Sequence, residues 1–71
     1  MSEPIEIPAV VYESVERLRG EGFDMNDYPK VLQEMERRGD RVTAAWLHNN
    51  RKIYLQGQMV GMVPEENPKV E

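Results

Sequence analysis

Apolar residues recur at helical spacing in three stretches of the chain. In the first, Val11, Val15 and Leu18 follow one another at four- and three-residue steps, with Glu13, Ser14, Glu16 and Arg17 between them. That spacing lays one apolar stripe along a helix and turns the polar residues outward. Pro8 suits the first helical position, where a missing N–H costs nothing, and Gly20 is a natural stop, so the expected span is 8–19. Glu21, Gly22 and Phe23 then form a turn, with Phe23 expected to fold back as a core plug.

The second stretch follows Asp24-Met25-Asn26-Asp27. Asp27 is the best N-cap, because a short side-chain oxygen reaches a free first-turn amide, and Pro29 is tolerated just inside. Tyr28, Val31, Leu32 and Met35 form the apolar face. Arg37 and Arg38 complement the negative end of the helix dipole before Gly39 ends the helix. A third helix starts at the cap Asp40 and runs to about Asn49, with Val42, Ala45 and Trp46 pointing one way and Leu47 helping. Trp46, the largest apolar group, is expected at the centre of the core.

Residues 51–62 are ambiguous. Ile53-Tyr54-Leu55 has strand composition, and Gly57 and Gly61 punctuate the segment. A helix from about 50 to 60 is preferred to a hairpin turning at Gln56-Gly57, because a lone hairpin leaves open edges. The expected fold is therefore all-α, a small three- to four-helix bundle, with a β-hairpin over 51–62 as the alternative. The helical domain is expected over 8–63, after an extended lead-in at 1–7 and before a disordered polar tail at 64–71.

The length of 71 residues allows one domain and little room for an enclosed substrate cavity. There is no cysteine, so disulfides and thiolate metal sites are excluded. No apolar run approaches the roughly 18–20 residues that span a bilayer, and no leader opens the chain, so no membrane association and a cytoplasmic location are expected. Charge changes the picture more. The net of −4 hides an uneven distribution. Residues 1–36 hold nine acids and three bases, residues 37–63 hold five bases against Asp40 alone, and the tail is acidic again. Such polarity can steer a partner.

No catalytic, metal-binding or cofactor-binding residue is assigned. His48 is the only histidine and has neither a positioned partner nor a nucleophile in a recognisable motif. Glu13 and Glu16 read as a solvated face, and Asp24 and Asp27 as caps. The segment 27–49 also has the outline of a DNA-reading helix-turn-helix. Its second helix, however, offers few groups to base edges, and the acidic total argues against a general nucleic-acid footprint. What remains is a partner-binding surface. Its candidates are the cations Arg37, Arg38, Arg41, Arg51 and Lys52 and the amphipathic Tyr12 and Tyr54, with Met59 and Met62 as further unplaced apolar residues.

The elements Leu18-Arg19, Gly22-Phe23-Asp24-Met25-Asn26-Asp27, Val31, Gly39, Trp46-Leu47, Asn49, Tyr54 and Gly61 resemble a short uncharacterised protein family found largely in bacteriophages and prophages. Its members show an arginine-glycine segment, an asparagine-methionine-x-aspartate turn, a central glycine, an aromatic-containing helix and a closing glycine. Asp24 stands here in place of the asparagine, and residues 55–62 are richer in glycine. The resemblance implies a microbial host cytoplasm and carries no activity or functional residues. The expectation is a non-enzymatic accessory protein that binds a host or viral protein, inhibition of a host defence system being one such role. A homodimer is a further expectation, and a small nucleic-acid-binding regulator using residues 37–52 is the alternative.

Overall fold

The elements follow one another as β1 (Ile5–Ile7), α1 (Ala9–Gly20), α2 (Tyr28–Arg37), α3 (Arg41–Asn49), α4 (Arg51–Val60) and β2 (Met62–Pro64) in the computed structural model, which describes residues 3–65. The fold is mostly helical, and the all-α expectation is corrected by a small sheet. β1 and β2 pair in parallel, with Ile5 opposite Met62, Glu6 opposite Val63 and Ile7 opposite Pro64. The Ile5 amide donates to the Gly61 carbonyl at 2.9 Å and the Glu65 amide to the Ile7 carbonyl at 2.8 Å. The hairpin alternative for 51–62 is overturned, since this segment holds α4 and the start of β2.

The expected domain limits, 8 and 63, cut through this sheet. Ile5 and Ile7 share one face of β1, as alternation requires, and Ile7 is completely buried. Pro64 belongs to β2 and the Glu65 amide is bonded to β1, while 66–71 of the expected tail lies outside the described residues. Three-residue strands are too short to show a period, which is why the sequence pattern missed them.

The helix ends follow their local chemistry. Asp27 caps α2 by accepting from the Lys30 amide at 3.3 Å, and Asp40 caps α3 by accepting from the Thr43 amide at 3.2 Å. After α1, the Phe23 amide donates to the Leu18 carbonyl and the Gly22 amide to the Arg19 carbonyl. This is the Schellman pattern, and it needs the positive φ of +96° that Gly22 adopts. The left-handed residue is thus Gly22, and Gly20 stays helical. Gly39, at φ +77°, ends α2 in the same way, with Asp40 donating to the Met35 carbonyl.

The core gathers Ile7, Val11, Val15, Leu18, Val31, Met35, Leu47 and Tyr54. The predicted stripes of α1 and α2 are all in it or packed against it. The stripe of α3 is corrected. Thr43 and Leu47 point inward, Val42 is 59% exposed, and Trp46 packs against the rim of the core instead of filling its centre. Ser14, expected to face away from the core, is buried on α1 and donates to Asp40 Oδ2 at 2.5 Å. That bond ties the start of α3 to α1. Partial burial pushes the Asp40 carboxyl up, but the bonds from Ser14 and Thr43 outweigh it and leave it below its ordinary value.

Candidate interaction surface

The cations that end α2 are engaged within the molecule. Glu34 accepts from Arg37 Nε at 3.0 Å and Nη2 at 2.5 Å, and from Arg38 Nε at 2.6 Å. Arg38 also forks onto Glu21, with Nη2 at 2.5 Å from Oε1 and Nη1 at 3.3 Å from Oε2. Its guanidinium lies 5.7 Å from the centre of the Phe23 ring. The hydrogen bonds from Arg37 and then Arg38 hold the Glu34 carboxyl down to about 2. Two carboxylates and two guanidinium groups therefore form a neutral quartet that ties the end of α2 to the turn after α1. Exposed pairs of this kind add little stability. Their effect here is on the field, since Arg37 and Arg38 add no net charge to the basic half.

Tyr54 is also removed from the candidate surface. Its ring is completely buried, and its hydroxyl donates to the Met25 carbonyl at 2.6 Å. Burial pushes this phenol up to about 12. The ring sits 5.9 Å from that of Tyr28, whose own hydroxyl donates to the Leu47 carbonyl at 2.6 Å. These two tyrosines are core residues with polar tips satisfied by backbone, as buried tyrosines require. Tyr12 is half-buried against the same core.

Arg41, Arg51 and Lys52 remain exposed, and none has a carboxylate within ion-pair distance among the described residues. Arg41 stands alone at the start of α3, whereas Arg51 and Lys52 are adjacent in the first turn of α4. The Arg51 guanidinium lies 5.3 Å from the centre of the Tyr28 ring, which steadies a long side chain at the surface. Around the elbow between α3 and α4 is an open depression of about 620 Å³, lined by His48, Asn49, Asn50, Arg51, Lys52, Ile53 and Leu55.

Of the apolar part of this surface, sequence reasoning singled out Met59 and missed Ile53 and Leu55. Ile53 is 37%, Leu55 36% and Met59 79% exposed, so α4 alone holds most of the large apolar side chains left in solvent. The inner face of α4 is narrow, with Tyr54 and Gly57 its only buried residues. Gly57 is not a helix stop. A Cβ there would meet the side chain of Met62, whose Sδ would be 2.6 Å away, so the glycine makes room for β2. A signal for the surface was present in the charge pattern, because no acid occurs from residue 41 to residue 64.

Among the described residues, no three His, Cys, Asp or Glu side chains are grouped to hold a metal ion, and no helix is long and apolar enough to cross a membrane. Comparison with protein-family models, curated proteins and solved structures returns no match to this chain.

Proposed function

We propose that this is a non-enzymatic accessory protein, phage- or prophage-related, that acts by binding another protein of the host or virus. The observation that carries the proposal is the outward face of α4, where Leu55 and Met59, one turn apart, stand in solvent on the same side as Arg51 and Lys52, with Ile53 half-exposed at the flank. Apolar side chains clustered on one small face characterise interaction sites, whereas scattered ones need no explanation. The phage context rests on the family resemblance, and inhibition of a host defence system rests on analogy with other small phage proteins.

The test is affinity capture from microbial host lysate with the tagged wild-type protein and with Leu55→Glu and Met59→Glu variants. A stoichiometric partner held by the wild type and lost by both folded variants is expected. Absence of any specific partner across several hosts refutes the proposal. The alternative, nucleic-acid binding through residues 37–52, is weakened because the quartet neutralises Arg37 and Arg38. A flat low-salt titration against duplex and single-stranded DNA is expected, since phosphate binding requires several free cations.

A further inference from the structure

The elbow between α3 and α4 combines two properties that name a ligand chemistry. The lining of the depression brings the cations Arg51 and Lys52 together with the aliphatic side chains of Ile53 and Leu55. No acidic residue lies between 41 and 64 to oppose those cations, and Glu21 and Glu34 are already engaged by Arg37 and Arg38. We infer that the elbow docks an acidic segment of a partner protein, one carrying carboxylates next to aliphatic or aromatic side chains.

The charge complementarity is specific to this face. Arg51 is held over the Tyr28 ring, so it presents its guanidinium from a fixed stem, and a planar guanidinium matches a carboxylate in two-point contact. Leu55 lies one helical turn from Arg51 and three residues from Lys52, on the same side of α4, which places apolar contact next to the cations. The helix itself adds to the sign of the site. Its first turn holds no acid, and Asn50 makes no side-chain cap bond, its amide being spent on the Trp46 carbonyl at 3.0 Å. A cationic first turn is unfavourable for the isolated helix, and an incoming carboxylate relieves it. A second copy of this chain is a poorer occupant, because symmetric pairing of the elbows brings like charges together. A nucleic-acid strand is also poorer, since the elbow lacks an exposed aromatic platform for bases.

This inference rests on the protein-binding proposal, and its test separates the two. The intact protein is immobilised and used to select from a random dodecapeptide display library. The selected peptides are then titrated by fluorescence anisotropy against wild type, an Arg51→Glu/Lys52→Glu double variant and an Arg37→Glu control, with circular dichroism confirming that each is folded. Peptides enriched in Asp and Glu next to Leu, Ile or Phe are expected. Their affinity should fall about tenfold or more in the double variant, remain within about twofold in the control, and weaken with salt. A Leu55→Ser variant provides a second route to the same face and should also weaken binding. Neutral or basic selected peptides, or unchanged affinity in the double variant, overturn the elbow as the site while a captured partner would still support protein binding. A single-stranded DNA dodecamer that outcompetes the peptides and depends on Arg51 and Lys52 overturns the inference in favour of nucleic acid. Failure to select any peptide, together with failure to capture any partner, removes both.

Discussion

Replacing Tyr54 by Phe tests whether this side chain belongs to the core or to a surface. The change keeps the buried ring and its position 5.9 Å from the Tyr28 ring, and it removes only the hydroxyl that donates to the Met25 carbonyl at 2.6 Å. A carbonyl left buried and unpaired costs about 1–3 kcal/mol. A domain of this size has only about 3–5 kcal/mol of net stability, so the loss takes a large share of it. At about 4–8 °C per kcal/mol, the melting temperature should fall by at least about 4 °C. Urea denaturation followed by helical circular dichroism and by Trp46 fluorescence gives the number directly. A loss below about 0.5 kcal/mol, the scale of a neutral surface substitution, refutes the buried hydrogen bond. The phenol offers an independent check. Burial raises it from 10.0 to about 12, so the unfolded chain releases this proton first as pH rises. The contribution to stability is full below pH 10 and is lost as pH climbs toward 12. Tyr54→Phe should remove that alkaline loss, and a wild-type stability that is flat across this window would contradict it.

Gly57→Ala places a methyl group against Met62 and should cost about 1–3 kcal/mol in thermal or urea denaturation, with Met62→Ala in the same chain restoring part of it. Asp40→Ala removes both the cap of α3 and the acceptor of Ser14, a loss of about 1–2 kcal/mol by the same measurement. Because the folded Asp40 carboxyl lies below its ordinary value of 3.8, its contribution is present above that value and lost as pH falls further. Acid titrations of stability for wild type and Asp40→Ala should therefore converge at low pH, and parallel curves would refute the linkage. Ile7→Ala should cost about 2–5 kcal/mol, enough to unfold much of the population, whereas exposed Glu6→Ala on the same strand should change stability by less than about 0.5 kcal/mol.

The parts of the fold that the sequence announced are those where one short-range rule acts alone. The stripe Val11, Val15, Leu18 and the cap Asp27 with Pro29 behind it are each decided within a few residues, and each stands as expected. α3 is different. Val42, Ala44, Ala45, Trp46 and Leu47 surround most of a nine-residue helix, so hydrophobicity does not select a face. The start of this helix is tied to α1 by the bond from Ser14 to Asp40, two polar residues 26 positions apart, a contact no local pattern announces. The buried side of α3 is Thr43 and Leu47, and Trp46 yields the interior to them. The parallel pairing of β1 with β2 is equally non-local, since it joins segments at opposite ends of four helices.

The surface was readable only in part for a related reason. Counting charges along the chain places Arg37 and Arg38 with Arg51 and Lys52, but folding brings Glu21 to Arg38 from a different element and cancels the first pair. What survives beside the solitary Arg41 is the pair on α4, and the packing of that helix explains why it keeps apolar company. β2 follows α4 directly and pairs with β1, and Met62 at its start uses the space that a side chain at position 57 would fill. With glycine at the centre of its inner face, α4 is anchored chiefly by Tyr54 and has no second inward position for Ile53 or Leu55. The same glycine that lets the two ends of the chain close into a sheet thus limits how much of α4 the core can cover. An apolar, cationic outer face on α4 is then a consequence of how the fold is closed. Enlarging Gly57 should disturb β2 and the presentation of Leu55 and Met59 together, linking the stability of the sheet to the integrity of the proposed docking surface.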